Sequence, residues 1–405
     1  MQKTLEPVVF YVGNFKPFLM DAQCQLVLGN SMILRDMGYK VVLIGNESSE
    51  KSEKDVSVIE GFDCYNVEFN KSLKGLAESY LKHCELCEIF SRYEKPAMII
   101  NYGTYGFAIQ LWLLWKWCKK NRIPLISNQV DLSSLAHGTF IERVIKHFDV
   151  LIKKRVTLRS NGIIGVTEYI CDYYKKDFHA PTTVIPPLKK KIEEYEINKT
   201  EDLVTIVYVG VPFPIDGRKV DEEAYKDRID KFIDLLLRVK DRVRDFKFNL
   251  YGLTQEQYLR VVDRHSEIIK NCGDRIKFFG RIDYAESLEV MKKADFSVVY
   301  RDVNEMNQAG FSSKLVESIA CGTPVIMTDT GDYTKYLKDG ENCFVLDPTD
   351  PQKEQDRLVE ILNMDDEAIM SIKNNCREQD VFNYERYIDR MSGFVNEVNN
   401  YYTRR

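Results

Sequence analysis

The sequence predicts an α/β protein built of two Rossmann-like domains, and three observations lead there. At 405 residues the chain is long for one hydrophobic core, so two domains of roughly 200 residues each are expected. Near its start, an apolar run at 7–11, a helical pattern at 21–37 and a second apolar run at 41–44 form a strand–helix–strand unit, the seed of a doubly wound parallel sheet. Far downstream, 296–327 repeats the plan with an apolar strand, a polar loop, a helix carrying Leu315, Val316, Ile319 and Ala320, a stop at Cys321-Gly322, and a second strand.

Composition narrows the class. The chain is 44% hydrophobic and 29% charged with a net charge of −5, which fits a globular protein and gives no sign of a nucleic-acid partner. The opening MQKTLEPVVFYVGNF has no basic stretch followed by an apolar run and cleavage site, and the most apolar helix, 107–117, is broken by Gln110 and Lys116 and too short to span a bilayer. A cytoplasmic protein is expected, with its ten cysteines as reduced thiols. Cys84 and Cys87 beside His83 have metal-like spacing, but no second such pair exists, so a helix face with two thiols is preferred and no metal is expected.

Taken in order, strand 7–11 ends at Val12-Gly13-Asn14, where Gly13 meets a tight turn or a close neighbour. Helix 21–37 places Leu26, Val27, Ile33, Leu34 and Met37 near helical spacing and stops at Gly38. A charged connection at 46–70 holds short strands around 56–67; a helix at 73–92, a strand at 97–101, a Trp-rich helix to Asn121 and a strand at 123–128 follow. Asp131 and His137 come just past that last strand, where open α/β sheets place ligands, although a turn or helix-cap role for Asp131 stays open. Segment 140–160 is basic and amphipathic. It reads either as a helix resting on an anionic membrane or as one packed on the sheet with a solvated basic face, the second being preferred. A strand at 162–167, a helix to Tyr174 and a strand at 183–185 close a first domain, 1–187, and the Lys- and Glu-rich stretch 188–202 is the linker. The second domain, 203–380, has strands 204–209, 246–251 and 276–279, each ending at a glycine, Gly210, Gly252 and Gly280, with helices at 229–239, 254–271 and 283–293. A long helix begins near Asn383 within the closing segment 381–405.

The chemistry concentrates at 301–331. Gly310, Phe311, Ser312 and Ser313 lead into the helix, where unpaired N–H groups and the positive end of the helix dipole favour an anion. Lys314 adds a charge in the first turn, and Arg301 ends the preceding strand, so the two cations suit a diphosphate. Glu317, three residues after Lys314 on the same face, is placed to accept bonds from the two hydroxyls of a ribose; an ordinary solvated pair of Lys314 and Glu317 is the alternative. Gly252, Gly280 and Arg281 are expected to border the nucleotide.

Arg301, then GFSSKLVESIACGTPVI at 310–326, the turn at Asp329 to Asp332 and Gly340-Glu341-Asn342 resemble the donor-binding region of GT-B glycosyltransferases, and most nearly the retaining, family 4-like enzymes of bacterial polysaccharide assembly. The resemblance implies two Rossmann-like domains whose parallel sheets face across a cleft, with the terminal helix returning to the first domain. It implies that Ser312, Ser313 and Lys314 hold the donor diphosphate, that Glu317 holds the ribose, and that the loop after Gly210 supplies a further cation, assigned to Lys226 rather than Arg218 or Lys219. On the acceptor or sugar side it implies Gly13, Asn14, Asp131 at the acceptor hydroxyl and His137 at the sugar. The implied reaction moves a sugar from a nucleotide diphosphate sugar, a co-substrate of unread base, to a glycan or lipid-linked acceptor with retention and without a metal or cofactor; Asp131, Arg301 and Lys314 are the catalytic set. Many relatives carry another glutamate eight positions before the second, and this chain has Ala309 there. That departure supports a rival reading, a non-catalytic nucleotide-sugar-binding subunit, while a nucleotide-sugar epimerase of the same architecture is a third.

Overall fold

The computed structural model describes residues 6–18, 21–46, 56–68, 73–94, 96–103, 108–132, 140–193, 195, 203–217, 221–222 and 225–404. His137, Arg218 and Lys219 lie outside them. The chain divides into two compact units, one running to Lys190 and including Tyr384–Arg405, the other Lys191–Asn383.

The first unit holds β1 (Val8–Gly13), α1 (Ala22–Asp36), β2 (Lys40–Gly45), β3 (Ser57–Ile59), β4 (Phe62–Asn66), α2 (Leu73–Ser91), β5 (Met98–Tyr102), α3 (Ala108–Asn121), β6 (Leu125–Gln129), α4 (Phe140–Thr157), β7 (Gly162–Gly165), α5 (Glu168–Lys175) and β8 (Thr182–Val184). Its sheet runs β3-β4-β2-β1-β5-β6-β7-β8, parallel except where β3 turns back on β4. β1 and β5 are buried along their whole length, because helices cover both faces of a doubly wound sheet. Residues 188–190, expected in the linker, belong to this unit: Lys189 Nζ donates to Gln25 Oε1 at 2.6 Å, and the Lys189 carbonyl accepts from the Tyr384 N–H at 3.0 Å.

The second unit holds β9 (Val204–Val209), α6 (Ile229–Val239), β10 (Phe246–Tyr251), α7 (Gln255–Leu259), α8 (Ser266–Asn271), β11 (Ile276–Gly280), α9 (Tyr284–Lys293), β12 (Phe296–Val299), α10 (Glu305–Ala309), α11 (Ser313–Ala320), β13 (Val325–Thr328), β14 (Cys343–Leu346), α12 (Pro351–Leu362) and α13 (Asp366–Gln379). The sheet order is β11-β10-β9-β12-β13-β14, parallel throughout. A core of apolar side chains from β9, β10, β12 and α6, including Tyr208, Phe232, Phe248 and Phe296, fills one face of it.

Three local expectations change. The helix foreseen at 254–271 is two, because His265 turns inward at a 3-10 turn between α7 and α8, where its ring bonds Tyr258 Oη at 2.8 Å and Asp234 at 3.1 Å. The polar loop before the site contains α10, capped by Asn304, whose side chain accepts from the Asn307 N–H at 2.9 Å. The final helix, α14 (Ile388–Thr403), begins five residues after Asn383, preceded by a 3-10 turn over Tyr384–Tyr387. It packs within the first unit, where a Cβ on Gly162 would lie 2.7 Å from Val398 and 2.8 Å from Phe394.

Candidate functional site

In the second sheet the chain order reverses between β9 and β12, and at such a switch point the connections leave in opposite directions, opening a crevice beyond the strand ends. Gly210 follows β9 and Arg301 closely follows β12, so both stand at that crevice. Arg301 is 2% exposed, and its Nε donates to Oδ1 of a fully buried carboxylate, Asp227, at 2.7 Å. Lys314, in the first turn of α11, donates from Nζ to the other oxygen of Asp227 at 2.8 Å. Tyr208 Oη also donates to that oxygen at 2.8 Å, and Arg301 Nη1 donates to Tyr333 Oη at 3.1 Å. Thr328, at the end of β13, fixes the Arg301 backbone by accepting from its N–H at 2.9 Å and donating to its carbonyl at 2.7 Å.

Burial alone would raise the Asp227 carboxyl, but the Lys314 and Arg301 charges and the bonds they donate outweigh it and hold that carboxyl far below the usual range. Burial first and the neighbouring anion second push the Tyr208 hydroxyl well above its ordinary value. Two cations share one carboxylate, so the cluster keeps a net positive charge at the mouth of the crevice.

Bare backbone makes room for this arrangement. A Cβ on Gly210 would lie 2.1 Å from Lys314 Cε, so a larger residue would push the lysine away. Gly252 has φ +111°, and a Cβ there would sit 2.3 Å from the Gly210 carbonyl oxygen. The Gly210 N–H donates to the Tyr251 carbonyl at 2.8 Å and the Gly252 N–H to the Gly280 carbonyl at 2.7 Å, which ties the three strand ends edge to edge. Gly310 meets Gly331 as closely, a Cβ on the latter falling 2.2 Å from the Gly310 carbonyl.

Ser312 is the N-cap residue of α11 but makes no side-chain capping bond; its Oγ is buried and without a partner. Ser313 opens the helix, and Glu317 is buried one turn along it. Phe311 packs in an aromatic cluster with Tyr333, Tyr336 and Phe382, ring centroids 5.0 to 5.7 Å apart, and so braces the loop. Ala309 is fully buried at the end of α10. Lys226 is exposed, its backbone N–H donating to the Pro212 carbonyl at 2.8 Å, and Arg281 is exposed past β11. The structure therefore brings together Gly210, Gly252, Arg301 and Lys314. The sequence points to Lys226-Asp227 ahead of an apolar helix but gives the role there to Lys226, and nothing in it singles out Tyr208 or Tyr333.

In the first unit, Gly13 is matched with Tyr102 across β1 and β5, and a Cβ on it would lie 2.5 Å from Tyr102 Cβ, so close strand packing accounts for the glycine. Asn14 Oδ1 accepts from Asn46 Nδ2 at 3.1 Å. Asp131 is exposed two residues past β6; burial first and the Asp131 charge second push the Tyr102 hydroxyl well above its ordinary value. Among the described residues no group of three or more His, Cys, Asp or Glu is placed to hold a metal ion.

Two α/β units, each on a largely parallel doubly wound sheet, with a cationic cluster at the switch point of the second, define a protein of GT-B fold. Residues 220–379 match the family described as Glycosyl transferases group 1. An uncharacterized glycosyltransferase, MJ1178, of Methanocaldococcus jannaschii is 26% identical over 148 residues, covering 36% of this chain and only 39% of that relative's own length. The O-antigen chain mannosyltransferase RfbU of Salmonella typhimurium is 22% identical over 305 residues, 70% of this chain and 77% of that one. Among solved structures, sucrose-phosphate synthase from Thermosynechococcus elongatus superposes with a TM-score of 0.70 at 17% identity over 97% of this chain and 99% of that one. HepE of Anabaena in complex with UDP gives 0.66 at 15% identity over 96% and 99%.

Proposed function

We propose that the protein is a retaining glycosyltransferase that moves a hexose from a nucleotide diphosphate sugar to an acceptor hydroxyl on a glycan or lipid-linked substrate, in the cytoplasmic assembly of bacterial surface polysaccharide. The observation that carries this reading is the Lys314–Asp227–Arg301 cluster at the switch point of the second sheet, beside the N-terminus of α11. A leaving nucleoside diphosphate gains negative charge as the sugar bond breaks. Lys314, already oriented by a buried carboxylate, is poised to stabilise that charge more strongly in the transition state than in the bound donor. Asp227 keeps the lysine pointed at the crevice, and Arg301, buried behind it, secures Asp227. Glu317 would accept from the ribose hydroxyls, and Asp131 would orient or deprotonate the acceptor. With these cations in place, the departing diphosphate needs no divalent ion.

RfbU is named as a mannosyltransferase and HepE is seen with UDP, which supports a hexose and makes UDP the first nucleotide to try. Buried Ala309, where many relatives carry a glutamate, favours a second reading, a subunit that binds the donor without chemistry. Incubation of the protein with UDP, GDP and ADP sugars in the presence of a chelator, with and without extracted glycan and lipid acceptors, separates the two. Acceptor-dependent release of one nucleoside diphosphate is expected. Binding without release under every acceptor supports the subunit, and release without acceptor supports an epimerase or hydrolase.

A further inference from the structure

α3 and α4 lie side by side in the first unit. The carboxylate of Asp149 on α4 accepts from the Ala108 N–H at the start of α3 at 2.6 Å and pairs with Lys153. Their outer surface is unusual for a protein in water. On α4, Val144, Phe148, Leu151 and Ile152 are all exposed, Phe148 to 61%, and they stand at i, i+4, i+7 and i+8, one stripe along the helix. Ile109 and Trp112, three residues apart on α3, are exposed as well. A contiguous apolar stripe open to solvent marks a surface that something covers.

Charge says what covers it. α3 carries three lysines and no acidic residue, and α4 carries five Lys and Arg against two acids, in a chain whose net charge is −5. One of those acids, Asp149, is already engaged between the helices. The two helices also form a cleft lined by Trp112, Trp115, Ile152, Val156, Arg155 and Arg159, with apolar walls and two guanidinium groups at its rim. Lys116 lies 3.7 Å from the centre of the Trp112 ring, and Arg159 lies 5.9 Å from that of Trp115. A second copy of this chain would bring like charges face to face on such a surface, so a homodimer is disfavoured.

We propose that the α3–α4 face docks on an anionic phospholipid surface, with the stripe from Val144 to Ile152 entering the headgroup–acyl boundary and Arg155 and Arg159 taking lipid phosphate. Apolar side chains flanked by Lys and Arg, with an indole at the rim, suit the layered chemistry of that boundary, which an acidic protein surface offers only in part. The exposure of Val144, Phe148, Leu151 and Ile152 favours the other of the two readings of this segment, a helix resting on an anionic membrane. Docking goes beyond the donor reading and requires no nucleotide.

The test is sedimentation of the full chain with vesicles of phosphatidylcholine alone and of phosphatidylcholine with phosphatidylglycerol, at low salt and at roughly 0.5 M salt, where charges are screened within a few ångströms. Binding to the anionic vesicles is expected to exceed binding to neutral ones by about tenfold or more and to fall several-fold at high salt. Phe148→Asp, an exposed site whose change leaves the core intact, should reduce it about tenfold, and the Arg155→Glu, Arg159→Glu pair should do the same without touching the stripe. Nucleotide-sugar binding measured on the same variants should be unchanged, so that failure of docking and failure of the donor site are told apart. Equal binding to the two vesicle types, no binding to either, or full binding by both variants would overturn the proposal. Capture of an acidic protein by this face without vesicle binding would overturn it too.

Discussion

Asp227 sits among opposed forces: burial drives its carboxyl toward the neutral form, while Lys314 and Arg301 hold it ionised. Breaking a buried ion pair from one side costs about 3–5 kcal/mol, because the partner charge is left without compensation. Asp227→Asn strands Arg301 in this way, and a loss of about that size is expected in chemical denaturation at neutral pH. The pH dependence has a definite sign. Since the folded carboxyl titrates below its unfolded value, its contribution is complete above about pH 4 and is lost as the pH falls from there. Wild-type stability should therefore drop steeply on acidification below about pH 4, and the variant's should drop less; parallel curves would show that the pair contributes nothing. Lys314 and Glu317 are legible in the sequence as a charged pair at helical spacing beside a helix start, a pattern shared with ordinary solvated pairs until the family resemblance singles it out. Asp227 is not, since a single aspartate before an apolar helix is ordinary until strand order carries β9, β12 and α11 to one place. Tyr208 is hidden for the same reason, as one more aromatic in an apolar strand.

At the scale of elements, the glycines that end β9, β10 and β11 do what side chains cannot. Gly252 combines φ +111° with a neighbouring carbonyl 2.3 Å from where a Cβ would go. Gly252→Ala is expected to cost about 1–3 kcal/mol in backbone strain alone and to weaken donor binding by moving Gly210 against Lys314. A thermal melt and a nucleotide titration check both, and a variant as stable and as tight as wild type would show that the strand ends are loosely built. The strand–helix–strand units at 7–44 and 296–327 can be read because each strand is an unbroken apolar run; α11 adds one apolar face, while α1 is buried continuously from Cys24 to Ser31 and is legible by its apolar content instead. β14, α12 and α13 are not evident in the sequence, and α12 and α13 show why: both are rich in charge, and each buries only a narrow stripe, Leu358, Ile361 and Leu362 on α12 and Ile369, Ile372 and Cys376 on α13. The break between α7 and α8 was also illegible, because His265 leaves helical geometry to reach tertiary partners.

At the scale of the molecule, the chain crosses between units and returns, since Tyr384–Arg405 belongs with the first unit. Tyr384 Oη donates to Asp36 at 2.9 Å and Arg390 Nη1 to the Val184 carbonyl at 3.1 Å, and Met391, Phe394, Val395 and Val398 are buried. Composition cannot announce such a return, whereas the family resemblance implies it. Sheet order has the same standing: length and periodicity predict two doubly wound units, but the switch point that locates the site exists only once the strands are assembled. The central claim is that this switch point in the second unit binds a nucleoside diphosphate sugar, and calorimetric titration of UDP, GDP and ADP sugars into wild type, Lys314→Ala and Glu317→Ala tests it most directly. One nucleotide should bind wild type and bind each variant about tenfold or more weakly, a loss of roughly 1.4 kcal/mol or greater. Binding indifferent to both substitutions, or absent for every nucleotide, would contradict it.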